Sequence, residues 1–257
     1  MKKDFLKVMI IMFLLFSTSV NASSYSSDEI YFINKNDIGF TEFQYNVLVD
    51  ILSKEIVSNF TQEEYDNFHV ENIIEGEYEY VTQEFFTRET SSTSGIMPLA
   101  YYETASKKLT LAKNCNSNYC AMNTTLTWKT TPVVTSYDVI GARLVNTTFY
   151  DDLNAITVTS RTGAVKTGCA GTTKTNKGVG NAIKIASDVY YITHSFRVNP
   201  ASNGTVYASY QHAVNTMTLS KALNFTFSGS GYGSVFVWPL TYSSNYDKMG
   251  GVSLDLA

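Results

Sequence analysis

The chain has 257 residues, a formal net charge of −4, and a composition that is 14% aromatic but only 16% charged. That length is ample for a sizeable core, in one large or two modest domains. Plentiful Tyr, Thr, Ser and Asn with few charges belong to a β-rich extracellular protein more than to a charged helical one.

The first residues, MKKDFLK, carry three lysines against Asp4, and a nine-residue apolar run follows from Val8 to Phe16. Small and polar residues then lead to Val20-x-Ala22. This is the layout of a secretory signal over residues 1–22, and the apolar run is too short to span a bilayer. Cleavage is expected after Ala22, with release to the extracellular space. Ser23 comes next, so a lipid-anchored form has no cysteine to attach to.

Residues 23–93 hold fifteen acidic side chains against Lys35, Lys54 and Arg88, whereas residues 94–257 hold seven acids and thirteen bases. The division falls in the Ser/Thr-rich stretch ETSSTSG, Glu89 to Gly95. Such asymmetry bears on association. The acidic segment is expected to be an appendage or pro-region that docks on the basic half of the same chain. Phe40, Phe43, Val47, Ile51 and Ile56 recur at helical spacing, and Thr41-x-x-Gln44 supplies a capping box. A second box, Thr61-x-x-Glu64, opens a shorter helix with Tyr65 and Phe68. Together they predict an αα-hairpin, followed by a strand in EGEYEYVTQEFF.

From residue 94 the pattern is strand after strand. MNTTLTW places Met122, Leu126 and Trp128 on one face and Asn123, Thr125 and Thr127 on the other, as a half-exposed strand requires. NAITVTS, VYYITHSFRV, TVYASYQHAV, ALNFTF, SVFVWPL and GVSLDL continue it. Turn chemistry separates them, in SRTGAV, NPASNG, SGSGYGS and DKMGG. The fold predicted for 94–257 is therefore an antiparallel β-sandwich or jelly roll, mainly β, preceded by a small helical hairpin.

Cys115 and Cys120 stand five apart, with Cys169 the third cysteine of the chain. An oxidising compartment favours a disulfide between the pair. Zinc would need a second pair, and a redox device would read C-x-x-C. The expected bridge clamps a hairpin tip.

If NPASNG closes a hairpin, His194 lies opposite Tyr210, and His194 and His212 become diagonal neighbours on one face, able to share a metal. The alternative is two packed histidines. The stretch WPLTYSSNYDKMGG offers Trp238, Tyr242, Asn245, Tyr246 and Asp247 in a loop at one end of the sandwich. Exposed rings beside amides and a carboxylate suit sugar recognition. RTGAVKTGCAGTTKTNKG, Arg161 to Gly178, is basic, flexible in composition and suited to an anionic polymer.

No G-x-S-x-G elbow, H-E-x-x-H motif or phosphate-binding glycine loop is present, and no cofactor is implied. The expected function is a secreted, non-catalytic protein binding an extracellular polysaccharide or anionic cell surface, and no nucleic acid. Two alternatives differ in class. The Ser/Thr-rich alternation between Asn146 and Ile185 allows a pore-forming or membrane-active protein. A secreted hydrolase would draw its carboxylates from Glu103 and six aspartates of the β half.

Overall fold

The structure, a computed structural model, describes residues 29–90, 101–223, 225–227, 236–237, 245–247 and 251–257. The expected signal over residues 1–22, the division at residue 93, the SGSGYGS turn, Trp238 and Tyr242 lie outside the described residues.

A two-strand ladder, β1 (Phe32–Ile33) and β2 (Gly39–Phe40), opens the described chain. Three short helices follow: α1 (Glu42–Ile51), α2 (Lys54–Ser58) and α3 (Gln62–Phe68). Both expected capping boxes are formed. Thr41 and Gln44 exchange hydrogen bonds at the start of α1, and Thr61 and Glu64 do so at α3. The single run expected through Ile56 is instead broken after Ile51. Ser53 is an N-cap, with its hydroxyl accepting from the Ile56 N–H, so a new helix begins there. Phe40, Leu48, Ile51, Val57, Phe60 and Phe68 close into a small core of their own. Tyr191 joins it from the β half.

The strands that follow are β3 (Tyr78–Thr90), β4 (Tyr101–Cys115), β5 (Cys120–Trp128), β6 (Tyr137–Val145), β7 (Phe149–Ser160) and β8 (Val165–Thr167). Next come β9 (Gly171–Thr175), β10 (Gly178–Lys184), β11 (Val189–Val198) and β12 (Thr205–Gln211). A one-turn helix, α4 (Leu219–Ala222), precedes β13 (Phe225–Thr226), β14 (Phe236–Val237) and β15 (Gly251–Asp255). The order β3-β4-β5-β11-β7-β8 builds a six-stranded sheet and β15-β12-β6-β10-β9 a five-stranded one. Both are antiparallel throughout. The protein is a β-sandwich, with Leu109, Leu126, Ile140, Ile192, Phe196 and Val206 among the side chains filling the space between the sheets.

Two local expectations are corrected. The first concerns β5, whose polar face is not half-exposed: Thr125 and Thr127 are each 2% exposed. The helices cover that side of the six-stranded sheet. Thr127 donates its hydroxyl to the Ile51 carbonyl at 3.1 Å, and Tyr191 donates to Glu64 at 3.0 Å. A strand buried on both faces by layers from distant sequence cannot be recognised from its own alternation. The second concerns Arg161 to Gly178, expected to be flexible, which supplies β8 and β9.

Residues 78–90 of the acidic segment form β3, paired along their length with β4. Lys113 meets Glu79 across this ladder at 3.3 Å, and Lys108 lies 3.9 Å from Asp50 on α1. Removing residues 23–93 would thus take a sheet strand together with the helices.

Candidate functional site

Cys115 and Cys120 are bonded and face each other at the end of the β4–β5 hairpin. The bridge clamps the tip as expected. Within the closed loop, the Asn116 side-chain oxygen accepts from the Asn118 and Tyr119 N–H groups at 2.8 and 2.9 Å. The tip thereby aims Tyr119 at a cleft on the helix-covered face of the six-stranded sheet.

That cleft holds a cavity of about 110 Å³ bordered by α3, the hairpin tip and β11. Tyr78, Asn114, Asn116, Tyr119, Asn123 and Arg197 supply its polar and aromatic lining. Asn114 is oriented by donating its amide to the Asn72 carbonyl at 2.6 Å. The Arg197 guanidinium sits 4.7 Å from the centre of the Tyr119 ring and donates to Asp151 at 3.1 Å. Tyr119 in turn lies 5.1 Å from Tyr150, which is 45% exposed, so an aromatic ladder runs out to solvent. The buried Asn123 side-chain oxygen has no hydrogen-bond partner among the described residues.

Because the disulfide closes only a short loop, opening it has a modest global and a larger local effect. The Cys115→Ser/Cys120→Ser protein is expected to lose about 2 kcal/mol of stability. Hydrogen exchange should accelerate at Tyr119 and its neighbours while the distant β6–β12 ladder stays protected. Uniform acceleration across both sheets would contradict this local role.

The other residues singled out from sequence lie elsewhere. The expected hairpin of β11 and β12 is not formed: β11 pairs with β5 and β7, and β12 with β6 and β15. NPASNG therefore crosses from one sheet to the other, and His194 and His212 do not share a ladder. His194 is fully buried in the sandwich interior, 2.9 Å from Asn154 Oδ1 through Nε2. Asn154 and Asn181 exchange amide hydrogen bonds beside it. Burial pushes the His194 imidazole down to about 3. Among the described residues no group of three His, Cys, Asp or Glu side chains is placed to hold a metal.

His212 belongs to a different cluster, with Lys107, Trp128, Asp138, Tyr210 and Asp247. The Asp138 carboxyl, fully buried on β6, accepts the His212 Nδ1–H at 3.0 Å, the Ala213 N–H at 3.0 Å and the Tyr210 hydroxyl. Burial pushes the Asp138 carboxyl up, and the His212 hydrogen bond acts the other way. The His212 ring stands edge-on to Trp128, with centres 4.8 Å apart.

Asn245, Tyr246 and Asp247 close this cluster and do not project as an exposed loop. The Val214 N–H donates to the Asn245 carbonyl, Ala213 and Tyr246 form a β-bridge, and the Asp247 N–H donates to the His212 carbonyl. Tyr246 is 4% exposed and its hydroxyl donates to the Tyr137 carbonyl. The expectation that its ring is presented to a sugar is therefore corrected: three backbone contacts turn the segment inward. Asp247 forms a buried ion pair with Lys107. The pairing joins a β4 side chain to residue 247, too far apart in sequence for any local signal. The one trace of it in the sequence is that Lys107 alternates in step with the core residues Leu109 and Leu111 of β4.

No family model matches the chain, and no curated protein matches it. Among solved structures, a collagen-binding domain from a Staphylococcus aureus adhesin is similar, with a TM-score of 0.29 at 9% identity. The match covers 37% of this chain and 77% of that one. The enzymatically active domain of bacteriophage CBA120 tailspike protein 4 is similar with a TM-score of 0.24 and 15% identity, over 52% of this chain and 18% of the tailspike. At these scores neither name bears on what this chain does.

Proposed function

We propose that the protein is a secreted, non-catalytic binding module, and that its cleft beside the disulfide tip takes hydroxyl groups of an extracellular or cell-surface polysaccharide. The gathering of Tyr119, Asn114, Asn116 and Arg197 around one cleft carries this reading. Sugar hydroxyls can pair with these amides and the guanidinium, while the Tyr119 ring offers a face to sugar C–H groups. Amides, phenols and a guanidinium line the cleft, and no carboxylate stands among the described lining residues. This set favours holding a glycan over hydrolysing it, since glycoside cleavage draws on a pair of carboxyl groups. The cavity is small, so it takes one ring edge or substituent, with the Tyr119–Tyr150 ladder extending the contact along a chain.

The test is retention of the purified, signal-free protein on a panel of insoluble polysaccharides and bacterial cell walls. Tyr119→Ala is expected to weaken retention about tenfold, the equivalent of roughly 1.4 kcal/mol of lost ring contact. Its circular dichroism should match the parent protein. Equal retention by the two proteins, or no retention of the parent on any matrix, would overturn the reading.

A further inference from the structure

The cluster around Lys107 contains chemistry that a binding module does not use. Lys107 is 1% exposed, and its ammonium lies 5.1 Å from the centre of the Trp128 ring and 5.9 Å from that of Tyr210. Its Nζ is in direct contact with Asp247 Oδ2. The other carboxyl oxygen, Oδ1, accepts the backbone N–H of His212 at 3.1 Å. Asp138 fixes that N–H in place, because it holds both the His212 imidazole and the Ala213 N–H.

In water an amine and a carboxylic acid remain an ion pair, since hydration stabilises both charges. Here walls of Trp128 and Tyr210 exclude that water, so the two groups are held dry and in fixed contact. The Lys107 nitrogen is thus already in contact with one oxygen of a carboxyl group whose other oxygen faces a hydrogen-bond donor. Such fixed contact replaces the encounter and orientation that make amide formation slow in solution.

We propose that Lys107 and Asp247 are joined by an isopeptide bond, formed within the folded protein, that staples the two sheets together. The Nζ lone pair attacks Cγ of Asp247, and the charge developing on Oδ1 is met by the His212 N–H. Two of the three ammonium protons move to Oδ2. The Cγ–Oδ2 bond breaks, the C=O bond at Oδ1 re-forms, and Oδ2 leaves as one water molecule. Nothing is oxidised or reduced, and no co-reactant enters. Asp138 is a positioning residue that acts through His212 and Ala213.

Mass spectrometry of the full chain after disulfide reduction tests this. The expected mass is one water below that of the linear sequence, and a digest should contain a branched peptide carrying both Lys107 and Asp247. Lys107→Met and Asp247→Leu should each restore the linear mass. The parent digest decides the matter even where these variants fold poorly: recovery of the Lys107 and Asp247 peptides as separate linear species overturns the proposal. Asp138→Ala with a native circular dichroism spectrum is expected to accumulate unlinked chain, and complete linkage in that variant overturns the positioning role.

Discussion

Between pH 7.5 and pH 4 the protein is expected to lose about 3 kcal/mol of folding stability through His194 alone. Its imidazole is fully buried, and burial holds it neutral down to about 3. In the unfolded chain a histidine takes up its proton near about 6.5. Between these values the unfolded state binds a proton that the folded state refuses. The contribution is thus intact above the unfolded value and is lost steadily as pH falls towards the folded one. The reason lies in the partners: Nε2 faces the Asn154 oxygen, whereas Nδ1 is buried with no partner among the described residues. A proton on Nδ1 would be a charge without an acceptor. His194→Gln retains a donor for Asn154 and removes the titration. Its unfolding free energy, from urea titrations at several pH values, should show a shallower acid slope than the parent. Identical slopes would rule out His194 as the source.

The second large effect concerns Lys107 and Asp247. Lys107→Met or Asp247→Leu is each expected to cost about 3–5 kcal/mol, because the remaining buried charge loses its oppositely charged neighbour. The double variant Lys107→Met/Asp247→Leu should be more stable than either single one, since it removes both members of the pair together. Denaturant midpoints of the three variants check this. A double variant whose loss equals the sum of the two single losses would mean that the side chains do not interact. This cycle measures the buried pair whether it is ionic or covalent, whereas the mass of the digest distinguishes those two states.

Much of the architecture was legible along the chain. Alternation in β5, β7, β11 and β12 and the turn residues between strands announced antiparallel sheets, because a strand side chain reports its face every second residue. Thr41 with Gln44, and Thr61 with Glu64, announced two helix starts through purely local hydrogen bonds. Cys115 and Cys120 were close enough in sequence for a hairpin to bring them together. At NPASNG the turn forms but the expected pairing of its flanking strands does not, for a physical reason. NPASNG has the same turn chemistry whether the chain returns beside itself or crosses to the opposite sheet, and only the packing of both sheets decides between them.

The candidate sites show the same limit more sharply. Tyr246 and Asp247 read as exposed because the residues around them are polar and turn-forming, yet Ala213, His212 and Lys107 draw them inward from other parts of the chain. The cleft has no signature in the sequence, because Asn123 on β5, Tyr119 at the hairpin tip and Arg197 on β11 carry no shared spacing.

Periodicity, capping and cysteine spacing, all interactions within a few residues, established the β-sandwich, the helix starts and the disulfide. The burial of Thr127 beneath the helices, the separation of His194 from His212 and the meeting of Lys107 with Asp247 came only with the tertiary fold. These depend on which layers stack, and stacking is settled by burial summed over the whole core, which no short stretch of sequence contains.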